Sequence, residues 1–300
     1  MTSVTSTSSG GRSVDPATAR RAWRALEAVH AMIYFTPDAA AEYARAGVTK
    51  NRTAYFASRA AAMGEVTDDV VIATFYNFDP ALVRHAMRDV WSITTAQQVL
   101  DARLRAVDVS LSRAFGPELL ASPMLADAAA VAREAAMAAC ARPEGRPLFA
   151  GHASLPWPEP AHLVLWHAQT LLREFRGDGH IAALTLEGLS GIEALISHAA
   201  SGDVAADVLR TTRAWSVDAW AAGIAGMVER GLVEPDGSST DAGREQRRRI
   251  EDATDRLAVA PYAAIGEDGC ALLRSVGRQL TSAVVDAGLL VVELARLDDA

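Results

Sequence analysis

Arg173, Glu174, Arg176, Asp178 and His180 fall within eight residues of one another, in the stretch LLREFRGDGHIAALTLEGL (171–189). Guanidinium groups grip carboxylates or phosphates through paired N–H donors, an imidazole exchanges a proton near neutral pH, and carboxylates orient both. The set is therefore suited to holding a polar or anionic small molecule. It stands between two apolar runs, HLVLWHAQTLL and IAALTLEGL, that read as buried helix. An unbroken helix would set Glu174 and Asp178 as like charges at i, i+4 and carry two interior glycines, each costing about 1 kcal/mol relative to alanine. The expectation is a corner: a helix ending near Arg176 with Gly177 as a left-handed cap, and a new helix starting at Asp178 or Gly179. Such a corner either pairs its own ions and caps its helices, or opens as a ligand pocket.

A second constellation lies in LEAVHAMIYF (26–35), where Glu27 and His30 are three apart and Tyr34 follows one turn later. A Glu-x-x-His pair is half of a di-iron motif, but Glu159–His162, the other such pair, sits at a helix start beside Pro160. A core histidine bonded to Glu27 is the simpler expectation. Haem would need only one axial histidine, so spacing says nothing for it. His162 and His167 are too poorly aligned for one metal. No cofactor and no metal are predicted.

These residues need elements to position them, and those elements are helices. Pro16 follows the cap-forming Asp15, and apolar residues from Trp23 to Ile33 recur at helical spacing. Further helices are expected at 37–46, 51–63, 67–77, 79–91, 95–114, 123–141, 158–175, 179–188 and 190–200. YFASRA (55–60) and LFAGHA (148–153) share a pattern and each leads into an apolar helix. That repetition suggests an internal duplication, with His85 and His180 in comparable places. Residues 203–262 differ. A short helix, a turn at Ser216, a second helix and RGLVEPDGSSTDAGR (230–244) read as a helix-turn-helix followed by a wing. The expected fold is mainly α: a disordered tail (1–15), an all-α ligand-binding domain (16–201) and a C-terminal winged-helix domain (202–300). The last helix, 265–297, closes that domain or forms a dimer contact.

Composition bounds the rest. Half of the 300 residues are apolar, and the formal charge of −8 argues against a non-specific nucleic-acid or anionic-membrane coat. Lys50 is the sole lysine among 29 basic residues, so arginine number alone is no sign of phosphate binding. Cys140 and Cys270 are far apart and fit a reducing cytoplasm. The leader lacks an apolar core, and no run approaches the roughly 18 apolar residues of a membrane span, so a cytoplasmic protein is expected.

The 230–244 segment resembles the wing of MarR-type regulators, which implies DNA contact through Arg213, Ser216, Arg244 and Arg247. Against this, the second helix, SVDAWAAGIAGMVERG, offers Ser216, Asp218 and Trp220 and then alanines and glycines, and 203–262 holds eight arginines against eleven acids. Taken together, LEAVHAMIYFTP, YFASRAAAMG, FYNFDPALV, LREFRGDGHIAAL and the terminal winged helix resemble a family of actinobacterial helix-turn-helix proteins. That family's pattern has a histidine where Phe175 stands and a proline where Ala62 stands. The resemblance points to Glu27, His30, Tyr34, Arg59, Asn77, Arg173, Glu174, Arg176, Asp178 and His180 as the ligand site. The expected function is a small-molecule-responsive, transcription-regulator-like protein with DNA and a small molecule as partners and a possible homodimer. The alternative is an enzyme on a small polar or anionic substrate, with His30 or His180 as base and the winged helix as a structural module.

Overall fold

The computed structural model describes residues 13–290. It is mainly α, as the periodicity requires, and among the described residues no regular strand occurs. No helix among them is long and apolar enough to cross a membrane. The expectations for residues 1–12 and 291–297 lie outside the described residues.

Helix α1 (Pro16–Arg24) begins as expected, with the Asp15 carboxylate accepting from Thr18 N at 3.3 Å and Pro16 in the first turn. It is followed by α2 (Glu27–Ala31), α3 (Pro37–Arg45), α4 (Asn51–Ala60), α5 (Asp68–Phe75), α6 (Pro80–Met87), α7 (Val90–Ile93) and α8 (Ala96–Leu120). Helices α9 (Pro123–Cys140), α10 (Pro147–Ala153) and α11 (Ala161–Leu186) complete the first part of the chain. Alanine has a use in α9: Ala128, Ala129, Ala132, Ala135, Ala136 and Ala139 are buried at helical spacing. Their small side chains let α9 lie close to both α11 and α16 (Ala260–Asp286).

The expected corner at Gly177 is absent. Helix α11 runs unbroken through Arg173–His180. Gly179 is there for proximity rather than for a turn: a Cβ on it would stand 3.3 Å from Leu257 Cβ of α15 (Asp241–Ala258). The like charges of Glu174 and Asp178 are met by partners from elsewhere in the chain, described below.

Two apolar cores form. The first gathers α1–α11 and also α16, whose Cys270, Leu273, Val276, Leu280 and Val284 are buried in it. The second joins Ala183 and Leu184, at the end of α11, to residues of α12 (Gly191–Ala199), α13 (Ala206–Thr212), α14 (Val217–Glu229) and α15. Leu195, Ile196, Leu209, Trp220, Met227 and Ile250 fill it. The cores thus divide the chain differently from blocks 16–201 and 202–300, because α12 packs with α13 and α14 while α16 returns to the first core. The two segments of the suspected repeat sit in α4 and α10, with Phe56 and Phe149 both fully buried. His85 is exposed on α6 and His180 is half-buried on α11, so these two are not in comparable places.

The segment after α14 closes as a tight hairpin with one antiparallel bridge, Val233–Ser239. Glu234 N donates to Ser238 O at 2.8 Å and Thr240 N to Leu232 O at 3.3 Å, which places Glu-Pro-Asp-Gly at the turn. One loop of the first core reaches across to the second. The Tyr76 hydroxyl donates to Leu189 O, Trp215 Nε1 donates to Asn77 O at 2.9 Å, and Asp79 N donates to Arg213 O at 3.0 Å. Gly191 makes this docking possible, since a Cβ there would stand 2.0 Å from Tyr76 O. Gly191→Ala should therefore cost about 2–4 kcal/mol in urea unfolding, because backbone must move. Gly226→Ala is the control: its Cβ meets only the Glu193 carboxylate at 4.0 Å, and helix propensity predicts no loss.

Candidate functional site

The residues singled out in the sequence separate into three places. Thr170 and Ala183 are thirteen residues apart on one straight helix, about 20 Å at its rise per residue. Arg173 and His180 accordingly serve different surroundings.

The first place is a buried cluster between α2, α4, α8 and α11. His30 is fully buried, and its bonds are not to Glu27 as expected. Its Nδ1 lies 3.0 Å from Thr170 Oγ1, and its Nε2 lies 3.1 Å from the Tyr34 hydroxyl. The Thr170 hydroxyl donates to Trp166 O at 2.9 Å, so it accepts from His30 Nδ1–H, and Nε2 accepts from Tyr34. This fixes a neutral imidazole stacked on the Trp166 indole at 5.5 Å. Burial, reinforced by the charges of Arg173 and Arg103, holds its pKa well below the ordinary value.

Glu27 pairs instead with Arg173, whose Nε donates to Oε1 at 2.8 Å. Arg173 Nη1 also donates to Glu174 Oε1 at 2.9 Å, and Arg59 Nη2 reaches the same oxygen at 3.4 Å. Burial alone would raise the Glu174 carboxyl, but the Arg59 and Arg173 charges bring it down to about 2. Arg59 Nη1 donates to the Tyr55 hydroxyl at 2.9 Å. Burial opposes ionisation of Tyr55, yet Arg59, Arg173 and Arg213 outweigh it and lower its pKa. Glu27, His30, Tyr34, Arg59, Arg173 and Glu174 are thus brought together. With Arg103 they form a cation-rich centre walled by aromatic rings.

The second place is the seam between α11 and α15. Arg176 Nη1 donates to Asp255 Oδ1 at 2.7 Å, and the guanidinium lies over the Trp23 ring at 5.0 Å. His180 Nδ1 meets Thr254 Oγ1 at 2.9 Å; that hydroxyl donates to Ile250 O, so it accepts from the imidazole. These contacts fasten α15 to α11.

The third place holds Asp178 alone. Its Oδ2 accepts from Phe149 N at 2.9 Å, which caps the start of α10. Burial pushes its carboxyl up to about 6. Its folded pKa thus lies above the ordinary value, so its contribution is most favourable below about 4 and is lost as pH rises through 6. Asp178→Asn keeps an oxygen for Phe149 N and removes the charge. It should stabilise the chain by about 1–2 kcal/mol at pH 8 and by nothing at pH 4 in thermal melts.

Asn77 belongs to none of these, because its carbonyl serves the loop that docks on the second core. The four residues expected to touch DNA are also engaged. Arg213 turns inward over the Phe78 ring at 5.1 Å. Ser216 caps α14 by accepting from Ala219 N, Arg244 pairs with Asp241 at 2.5 Å, and Arg247 pairs with Glu251 at 3.6 Å. The solvent face of α14 presents Val217, Asp218, Ala221, Ala222, Ala225 and Glu229.

Several cluster residues were missed in the sequence. Arg103 shares the stripe of Val99, Ala106, Val107 and Ser110, a buried helical face, so its spacing was a readable signal. His152 occupies in LFAGHA the place that Arg59 takes in YFASRA, and both border the same cluster. Tyr55 and Trp166 carried no signal apart from ordinary aromatic burial.

A short helix, a turn and a second helix, α13 to α14, followed by a hairpin and carried on a helical body, define a DNA-binding, regulator-like class of protein. The chain belongs to a helix-turn-helix family, whose model matches residues 19–291. No curated protein and no solved structure matches it.

Proposed function

We propose that the chain is a small-molecule-responsive, transcription-regulator-like protein, with the cluster around Arg59, Arg173 and Glu174 as its effector site and α12–α15 as a MarR-like winged helix. The observation that carries this reading is the continuity of α11. Its first half brings Thr170, Arg173 and Glu174 to the cluster, and its last turns bring Ala183 and Leu184 to the second core. A ligand that favours one placement of α11 therefore also favours one placement of the helix-turn-helix. A second physical link runs through Tyr55, 5.7 Å from Phe78, which in turn lies under Arg213 at the start of the α13–α14 turn.

The test is fluorescence anisotropy at low salt, with duplexes from the region upstream of the coding sequence. Small molecules extracted from the natively purified chain are then added back. Binding whose affinity changes at least fivefold with the extract is the expected result, and absence of binding to every duplex at low salt sinks the regulator reading.

One observation favours a second reading. The exposed face of α14 carries alanine and acids, where major-groove readout calls for amide or guanidinium donors. In that reading the chain is an enzyme on a small anionic substrate, the winged helix is structural, and His30, its Nε2 accepting from the Tyr34 hydroxyl, is the base. Tight binding of a small molecule together with no DNA binding would favour it.

A further inference from the structure

Arg103 has a free edge. The side chain projects from α8 into the first core, where the residue is 2% exposed. Its Nη1 donates to Ser58 O at 2.8 Å, while Nε and Nη2 have no hydrogen-bond partner. Those two atoms form the side of a guanidinium that grips a carboxylate or phosphoryl group with two parallel N–H bonds. Glu174, whose field reaches Arg103, is held by Arg59 and Arg173. Three guanidiniums and two carboxylates in the cluster leave one positive charge without a counterion. Buried charge in that condition is strongly unfavourable until an anion meets it.

Two further groups point the same way. His152 and His167 are buried, each has an unpartnered Nε2, and both lie in the field of Arg103. The walls are rings: Trp166 lies 5.2 Å and Tyr34 lies 5.8 Å from the Arg103 guanidinium. Trp157 meets the His167 ring edge-on at 4.7 Å, and its other neighbour, Arg133, lines an open surface groove of about 500 Å³ between α9 and the start of α11.

We propose that Arg103, with His152 and His167, binds the carboxylate group of a small monoanionic ligand, taken side-on by the Nε–Nη2 edge and flanked by Trp166 and Tyr34. This names the ligand class for the effector site and rests on that reading. A single negative charge balances the cluster, and flat aromatic walls suit a planar head and an apolar body.

The experiment is a thermal-shift titration of the full chain with acetate, benzoate, inorganic phosphate and neutral benzamide, at constant ionic strength in a chloride buffer. Benzoate or acetate should raise the melting temperature saturably, and benzamide should not. Arg103→Met removes an unpaired charge together with one bond to Ser58 O, and should lose the shift. His152→Gln should raise the half-saturating concentration at least tenfold, and this arm decides the matter if Arg103→Met does not fold. Stabilisation by phosphate but by neither carboxylate, no saturable shift at all, or unchanged half-saturation in His152→Gln each overturns the assignment. Saturable binding of benzoate that leaves DNA affinity untouched would sink the regulator reading and keep the site. Inert carboxylates alongside an extract that alters DNA affinity would do the reverse.

Discussion

Glu174→Gln is expected to lower the stability of the folded chain by about 3–5 kcal/mol, the cost of breaking a buried ion pair by removing one partner. The residue is 3% exposed, and one of its oxygens accepts from both Arg173 and Arg59. An amide keeps the shape and one acceptor, but it leaves the buried Arg59 guanidinium without a counter-charge and Arg173 with Glu27 alone. Glu27→Gln is the useful comparison. The Glu27–Arg173 pair is partly open to water, so solvent screens what the substitution leaves behind and a loss nearer 1 kcal/mol is expected. Urea unfolding of both variants checks the ranking, and equal losses would refute it. The pH dependence has a definite sign. The Glu174 carboxyl stands at about 2 in the folded chain and near 4.3 when unfolded, so its contribution is complete above about 4.3 and is lost as pH falls through 2. Glu174→Gln should flatten that limb of the stability curve.

What the sequence disclosed was whatever local chemistry determines. The Asp15–Pro16 start and the turn at Ser216 depend on residues within four positions of each other, and each stands where spacing placed it. The α11 segment failed as a local problem because its solution is not local. Gly177 and Gly179 look like helix breakers in isolation. In the fold, Gly179 admits Leu257, some 78 positions downstream, and the charge of Glu174 is answered by Arg59, 115 positions upstream. Asp178 similarly finds its donor on α10 rather than on its own helix. Spacing drew attention to Glu27, Arg173 and Glu174 and the resemblance to Arg59, yet the 173–180 stretch, read locally, merged three separate places into one.

Arg103 shows the opposite case, a signal present but easily passed over. An arginine on the apolar stripe of a helix contradicts the pattern around it, and such contradictions concentrate where a chain has something to hold. The arginine-rich composition hides it, because one more arginine attracts no notice until its neighbours on the helix face are counted. The alanine bias has a related effect in α14, where it fills the solvent face of the second helix of the helix-turn-helix.

Acid should destabilise this chain well above the pH at which Glu174 is protonated, and His152 and His167 are the reason. Burial, then the Arg103 charge, lowers them to about 3 and about 4 from an ordinary value near 6.5. A base with a depressed folded pKa gives stability that is complete above its unfolded pKa and is lost as pH falls toward the folded value. The window is therefore about 6.5 down to 4 for His167 and down to 3 for His152. Asp178 titrates in the same range with the opposite sign, since its carboxyl is raised to about 6 and protonation relieves it. The two histidines are displaced further from their ordinary values than Asp178 is, so they decide the direction. Melting temperatures measured in bis-Tris and piperazine chloride buffers should fall steadily from pH 6.5 to 4, and the double variant His152→Gln with His167→Gln should lose part of that slope, the buried His30 keeping its own share. Acetate buffer should blunt the fall in the parent chain, because a carboxylate on the Arg103 edge offers the protonated imidazoles a counter-charge. A slope unchanged by the double substitution would show that the acid limb belongs to other groups.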